Sequence, residues 1–354
     1  MGTATSTHAW GEPWDLGHEQ VVLCQDPDAG YRAILALHST VLGPATGGTR
    51  LWSYASTADA LADALRLSRG MTYKNAAAGL ALGGGKAVIL APDAPFDREQ
   101  LFLAHGRAVD RLGGRFITAE DVGTSPADFE VAARETQWVA GIDGRGGDPS
   151  PWTARGVMAG LLAAAEHRWG SDDLEGRTVA LQGCGNVGAA LARQLAGVGS
   201  RLVITDRDTE RAAGLAGEIG ATTVAPEAIY DVEADIFAPC ALGSILDDAT
   251  IPRLRVGVIA GAANNQLATD RHAVALAERD ILYAPDFVIN AGGVISGSVA
   301  LLNETDEAMV GRVDGIRDTM QQVLEHAARD NITTLRAAEL RAEHALANAR
   351  KEPS

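Results

Sequence analysis

Two lysines, Lys74 and Lys86, stand in the stretch MTYKNAAAGLALGGGK (71–86), among residues that are otherwise small or apolar. Lysine is rarely buried without a partner, and a dry surround disfavours an ammonium, more so beside a second cation. Two lysines in such a setting suit two tasks: one stays charged and grips an anion, the other serves as a base near neutral pH. Gly83, Gly84 and Gly85 let backbone come close to a ligand just before Lys86. The same pattern also fits a helix running into a glycine turn with both ammonium groups in solvent. Further on, RFITAEDVGT (115–124) ends in Glu120 and Asp121 ahead of Gly123, carboxylates at a strand end where a ligand can be reached. Gly47 and Gly48 inside LGPATGGTRLW (42–52) read either as backbone open to a ligand or as a bulge.

A phosphate site is written just as locally. TVALQGCGNVG (178–188) is an apolar run followed by Gly183, Gly185 and Gly188 in G-x-G-x-x-G spacing, with a helical pattern through Leu195. GSRLVITD then ends at Asp206, an acid about 20 residues on, which completes a dinucleotide fingerprint. Backbone N–H groups and a helix N-terminus would face a pyrophosphate there. Asp206 is placed to take the adenosine ribose hydroxyls, which favours NAD over NADP because a 2′-phosphate would meet a carboxylate; Arg207 beside it could accommodate that phosphate.

The elements that must position these groups follow from periodicity and punctuation. EQVVLCQ (19–25) and YRAILALH (31–38) flank Asp26-Pro27-Asp28-Ala29-Gly30 and predict a hairpin. Ser56 with Asp59 resembles a capping box, opening a helix whose Leu61, Ala64, Leu65, Leu67 and Met71 share a core-facing side and which delivers Lys74 near its end. A strand is expected over 86–90, a helix over 100–112, and another over 126–135. GIDGRGGDPSP (141–151) is the strongest hinge candidate. Beyond it, strands at 178–182, 201–206, 234–240, 256–265 and in ILYAPDF alternate with helices at 153–169, 208–219 and 269–279, which predicts a doubly wound parallel sheet. Cys240-Ala241 and Ala262-Ala263-Asn264-Asn265 fall at strand ends, the edge where cofactors sit. Helices over about 306–328 and 334–349 close the chain. The expected fold is α/β with two domains: residues 1–145 for substrate binding and catalysis, residues 146–300 as a Rossmann-type NAD-binding domain, and residues 301–354 as helices packing back across both.

Bulk properties exclude whole classes. A chain of 354 residues is too long for one ordinary core, and 46% hydrophobic with 21% charged content is that of a globular protein. A formal net charge of -16 argues against nucleic acid or an anionic membrane as partner. No signal peptide or membrane span is expected, and the opening MGTATS matches the loose myristoylation pattern by chance, since no basic second signal follows. Three cysteines without C-x-x-C spacing argue against a disulfide framework and for a cytoplasmic chain; Cys184 and Cys240 read as small buried packers. The eight histidines show no metal-ligand spacing, so no metal is expected.

Over nearly its whole length the chain resembles the Glu/Leu/Phe/Val amino-acid dehydrogenase family, its leucine-acting branch first and its phenylalanine-acting branch next. The matching stretches are LGPATGGTRLW, DALRLSRGMTYKNAAAGLALGGGK, RFITAEDVGT, GDPSPWTARGV, QGCGNVG, DIFAPCALG, AGAANNQL and YAPDFVINAGGVI. VILAPDAP departs from the family by shifting the proline of a D-P pair, which loosens that turn's alignment without touching Lys86. The resemblance implies that Lys86 activates water and that Asp121 shuttles protons to and from the amino group. It also implies that Lys74 holds the substrate carboxylate with help from backbone at Gly48, and that Asn264 lies between substrate and nicotinamide. Thr153, Asn186, Val187, Asp206, Cys240, Ala241 and Ala262 fall where the family contacts NAD. Thr46 stands where the leucine-acting members tend to carry Leu, and Ala119 and Val294 resemble apolar pocket lining. The implied reaction is reversible NAD-dependent oxidative deamination of an apolar L-amino acid to the 2-oxo acid and ammonia. Leucine or another branched-chain residue is the first expectation and an aromatic one the alternative, in a homo-oligomer. A hydroxy-acid dehydrogenase would want a histidine–acid pair, and a nucleotide sensor would have no use for Lys74, Lys86 and Asp121 together.

Overall fold

The structure, a computed structural model, describes residues 17–142, 148–241, 243–302 and 304–351. The MGTATS motif and residues 143–147 of the expected hinge lie outside the described residues. The chain divides into two compact units: Met1–Gly147 with Ala300–Leu302 and Ala345–Ser354, and Asp148–Val299 with Asn303–His344. Among the described residues, no helix is long and apolar enough to cross a membrane.

The first unit holds strands β1 (Gln20–Asp26), β2 (Tyr31–Ser39), β3 (Ala45–Trp52), β4 (Gly83–Leu90) and β5 (Phe116–Glu120) in the order β1-β2-β4-β3-β5. The expected hairpin is present, with β1 antiparallel to β2; β4 runs antiparallel to β2, while β3 lies parallel to both β4 and β5. One face is covered by helix α1 (Thr57–Ala77), where Ala60, Ala64 and Leu65 pack on Ile34, Ala36 and Val88. Helices α2 (Arg98–Asp110) and α3 (Pro126–Ala132) cover the other, burying Leu35, Leu37, Ile89, Phe102, Phe116 and Phe129. Each such side chain contributes roughly 1.5–3 kcal/mol by leaving water. Alternation along a strand therefore sends Lys86 and Val88 to the α1 face and Ala87 and Ile89 to the other. Ser56 caps α1, its hydroxyl accepting from the Asp59 amide at 3.2 Å.

In the second unit, β6 (Thr178–Gln182), β7 (Arg201–Thr205), β8 (Thr222–Thr223), β9 (Ile236–Pro239), β10 (Val258–Ile259) and β11 (Leu282–Tyr283) form one sheet ordered β11-β10-β9-β6-β7-β8. Every pairing is parallel. Strand order reverses between β6 and β9, the switch point at which doubly wound sheets bind ligands. The helices are α4 (Ser150–Trp169), α5 (Asn186–Gly197), α6 (Thr209–Ile219), α7 (Arg271–Glu278), α8 (Asp286–Ile289), α9 (Gly292–Leu302), α10 (Asp306–Asp314), α11 (Ile316–Asp330) and α12 (Thr334–Ala349), the last residues of α9 and α12 being counted with the first unit. Helix α4 packs against α5, α10 and α11.

Four expectations need correction. Strand β4 starts at Gly83, not Lys86, because the glycines pair in the sheet, Gly84 with Thr46 and Gly85 with Leu37. The strand expected over 256–265 shrinks to Val258–Ile259, and its remainder is a loop tied down by Gln266, which donates to the Gly261 and Ala263 carbonyls. The long helix expected at 306–328 breaks at Gly315 into α10 and α11, and AGGVI, given no helix from sequence, starts α9.

Candidate active site and dinucleotide site

Lys86 leaves β4 on the α1 face with only 6% of its surface exposed, so it does not face bulk solvent. Its ammonium lies 2.7 Å from Asp121 Oδ2. Asp121 follows the last residue of β5, and its amide donates to Thr124 Oγ1 at 3.0 Å, which fixes the turn. Arg50, two residues beyond Gly48 on β3, brings Nε to the same Oδ2 at 3.1 Å. Burial opposes ionisation of Asp121, but Lys86 and Arg50 outweigh it and hold the carboxyl below the usual range. Sequence reasoning expected a second cation beside Lys86; the partner shown at the ammonium is an anion.

Glycines let these strands close up. A Cβ on Gly48 would sit 2.5 Å from the Glu120 carbonyl oxygen and 2.8 Å from Asp121 Cβ. One on Gly84 would fall 2.0 Å from the Thr72 amide of α1, and one on Gly85 would strike the Phe116 ring at 2.7 Å. Protein therefore fills the space beside the triple glycine that sequence reasoning reserved for a ligand. Gly84 seats α1 directly on β4, and Gly85 makes room for the Phe116 ring of β5.

Helix α1 carries Lys74, half-buried, in its last turn. Its neighbour Asn75 donates to Thr46 Oγ1 at 3.0 Å and to the Gly83 carbonyl at 2.5 Å, so Thr46 is tethered and 7% exposed. Ala119 pairs with Gly48 across β3 and β5 and is half-buried. Thus the structure gathers Thr46, Gly48, Lys74, Lys86, Ala119 and Asp121 in the first unit, around β3, β4, β5 and α1. Arg50, Asp63, Tyr54 and Asn75 were missed. Their polar contacts bridge different elements, which the periodicity within one element does not report.

The second unit builds a dinucleotide cradle at its switch point. Gly183 adopts φ +99°, a left-handed conformation that favours glycine, against Cys240 and Ala241 from the end of β9. A Cβ on Gly188 would lie 1.9 Å from the Gly183 carbonyl oxygen, so only glycine lets α5 come this close to β6. At Gly185, the N-cap of α5, no side chain caps the helix and nothing stands within 4 Å of an added Cβ. Open space before the free amides of Asn186 and Val187 fits a pyrophosphate. Asp206 Oδ2 accepts from the Cys184 amide at 2.7 Å and Oδ1 from the Asp208 amide at 2.9 Å. A carboxylate has about four lone-pair sites, so two remain for ribose hydroxyls. Arg207 is exposed, while Arg211, unremarked in the sequence, approaches Asp206 Oδ2 at 3.7 Å.

Cys184 and Cys240 are free thiols. Burial, helped by the Asp206 charge, pushes the Cys184 thiol up to about 11, and burial pushes Cys240 up to about 12, so neither is a nucleophile near neutral pH. Asn290, also missed from sequence, donates to the Ala262 carbonyl at 3.1 Å and to Asn264 Oδ1 at 3.0 Å, setting the exposed Asn264 side chain. Thr153 gives its hydroxyl to the Pro149 carbonyl at 2.9 Å, and Val294 is half-buried in α9.

A parallel dinucleotide sheet joined in one chain to a buried lysine paired with a half-buried aspartate is the equipment of a nicotinamide-dependent dehydrogenase. Sequence comparison makes the class specific. Residues 18–138 match the family described as Glu/Leu/Phe/Val dehydrogenase, dimerisation domain, and residues 202–353 match Glutamate/Leucine/Phenylalanine/Valine dehydrogenase. The chain belongs to this family and is an amino-acid dehydrogenase. It is 51% identical over 340 residues to leucine dehydrogenase of Geobacillus stearothermophilus, covering 95% of this chain and 93% of that protein. Valine dehydrogenase of Streptomyces coelicolor is 48% identical over 344 residues, covering 95% and 94%. Among solved structures, L-tryptophan dehydrogenase from Nostoc punctiforme superposes with a TM-score of 0.84 at 44% identity, covering 96% of this chain and 98% of that one.

Proposed function

We propose that the chain catalyses the reversible NAD-dependent oxidative deamination of a branched-chain L-amino acid, leucine foremost, to the 2-oxo acid and ammonia. The observation that carries this reading is the 2.7 Å pair of buried Lys86 and Asp121. Lys74 and the Gly48 backbone hold the substrate carboxylate. Asp121 takes a proton from the substrate ammonium, freeing the lone pair that expels hydride from Cα. A bound nicotinamide supplies the hydride acceptor. Lys86, its own proton released to solvent beforehand, deprotonates water for attack on the substrate iminium carbon. Collapse of the adduct releases ammonia, which Asp121 protonates. Gly183, Gly185, Asn186, Val187, Gly188 and Asp206 hold the dinucleotide, with Thr153, Cys240, Ala241, Ala262 and Asn264 toward its nicotinamide end.

NAD is preferred because the Asp206 carboxylate, with two lone-pair sites spare, suits ribose hydroxyls and repels a 2′-phosphate. Thr46 and Ala119, both on the first unit's sheet, line the side-chain pocket. Thr46 also favours a second reading, an aromatic substrate: it is small where the leucine-acting members carry a larger residue, and a relative sharing 46% identity is an L-tryptophan dehydrogenase. A homo-oligomer belongs to the same proposal, supported by the match of residues 18–138 to a dimerisation domain. NADH formation at alkaline pH from L-leucine, L-valine, L-isoleucine, L-phenylalanine and L-tryptophan, ranked by kcat/KM, tests the proposal, with 2-hydroxy acids as controls. One methylene is worth only about 1–3 kcal/mol in such a pocket, so turnover of all three aliphatic substrates is expected. Turnover confined to 2-hydroxy acids would refute the reaction class, and a lead for L-tryptophan would move the substrate to the second reading.

A further inference from the structure

Asp121 is held from two sides, and only one of them belongs to the proposed chemistry. Arg50 crosses from β3 and links two carboxylates: Nε lies 3.1 Å from Asp121 Oδ2, and NH1 lies 2.8 Å from Asp63 Oδ2 on α1. Tyr54 donates its hydroxyl to the same Asp63 oxygen at 2.6 Å, and Arg66 reaches Asp63 Oδ1 at 3.2 Å. These side chains are mostly withdrawn from solvent, with Asp63 at 14% and Arg50 at 22% exposure, and such partly buried ion pairs are screened less than surface ones. A guanidinium is planar and rigid, so fixing one nitrogen on Asp63 fixes the direction of the others. Both cations on Asp121 sit on Oδ2; among the described residues no donor sits on Oδ1.

We propose that Arg50, anchored by Asp63 and Tyr54, is the positioning residue that aims Asp121, turning Oδ2 to Lys86 and leaving Oδ1 to meet the substrate's amine. The inference rests on the proton-shuttling role proposed for Asp121. Without Arg50 the carboxylate could rotate about its Cβ–Cγ bond, and proton transfer tolerates little misplacement. The guanidinium also lowers the proton affinity of Asp121. The charged and titratable groups around this carboxylate are Lys86 on β4, Arg50 on β3, and Glu120 on β5. Helix α1 adds Asp63, Arg66 and Lys74, and Tyr54 follows β3.

The test uses the full-length chain and two readouts. Infrared difference spectra between each protein and its Asp121→Asn counterpart titrate the Asp121 carboxyl directly, whether or not turnover occurs. Arg50→Met is expected to raise the titration midpoint by about one pH unit, because one of two neighbouring cations is gone. The acidic limb of the kcat/KM profile should move upward with it, and kcat should fall at least tenfold while KM for the dinucleotide holds. Asp63→Asn, which keeps shape and removes the anchoring charge, should lower kcat as well, and Arg50→Lys should restore the midpoint but not the full kcat. An unmoved midpoint in Arg50→Met, or Arg50→Lys equal to wild type in kcat, overturns the inference. A wild-type chain inert toward every amino acid tested would instead fault the reaction proposed above, and the infrared midpoint would still decide whether Arg50 governs Asp121.

Discussion

Lys86 and Asp121 share one ion-pair contact of 2.7 Å, yet their losses should look different. Lys86→Ala removes the base proposed to activate water and leaves the glycine turn at Gly183 to Gly188 untouched. Turnover should drop at least about 1000-fold, while NADH affinity, read from its fluorescence on titration, stays within a factor of about two. Near-normal turnover with lost NADH binding would contradict the assignment. Asp121→Asn keeps the hydrogen-bonding outline toward Arg50 and Lys86 but has no basic oxygen. Its expected signature is a fall in kcat of about 100-fold or more with KM for the amino acid little changed. A raised KM at constant kcat would instead make Asp121 a substrate anchor. Although burial works against the charge, Lys86 and Arg50 prevail and depress the Asp121 carboxyl below its ordinary value of 3.8. The stability it contributes is therefore full above that value and is lost as pH falls through the lower, folded-state one.

Strand β4 and the end of β5 carry the proposed catalytic groups, and a polar network ties β2, β3 and β5 together under α2. Tyr31 of β2 meets His105 Nδ1 at 3.0 Å, and His105 Nε2 of α2 meets Thr49 and Thr118 hydroxyls at 3.0 and 3.1 Å. Burial pushes His105 from 6.5 down to about 3, so it is neutral in the fold. Between those values the unfolded chain binds a proton that the folded chain refuses, so stability rises with pH across that window and is lost on acidification. From pH 7 to 5 the histidine should account for about 2 kcal/mol of lost stability. His105→Gln should flatten the pH dependence of the urea midpoint by that amount, and parallel profiles for the two proteins would refute it. Nothing in the sequence flagged this histidine, since its partners come from three strands separated by up to 74 positions. The dinucleotide loop was legible because strand, glycines and Asp206 follow one another along the chain. The triple glycine was legible as a close approach but not as to what approaches: Thr72 and Phe116 lie on different elements, and only the folded sheet brings them there. For the same reason Lys86 and Asp121 could be picked out singly, and Arg50 with Asp63 could not.

At the scale of the molecule, a formal net charge of -16 sets the problem for a chain proposed to bind a dinucleotide. Net charge gives it no long-range attraction, so the proposed affinity rests on short-range groups: the uncapped amides at the start of α5 and the ribose contacts proposed for Asp206. Binding to the folded chain alone stabilises the whole by mass action, about 2.7 kcal/mol at a ligand concentration 100 times its Kd. NADH at that level should raise the midpoint of urea unfolding correspondingly. NADPH at the same concentration should give a much smaller shift, because its 2′-phosphate adds to the repulsion at the Asp206 carboxylate. Asp206→Asn separates the two functions of that side chain. It weakens the acceptor that holds the Cys184 amide at 2.7 Å, so the NADH-induced shift should shrink. It also removes the repelling charge, while Arg211 stays paired with Asp208 at 3.1 Å, so the NADPH-induced shift should grow. Equal shifts for the two dinucleotides in the wild-type chain would mean that Asp206 does not select between them, and the preference for NAD would fall with it.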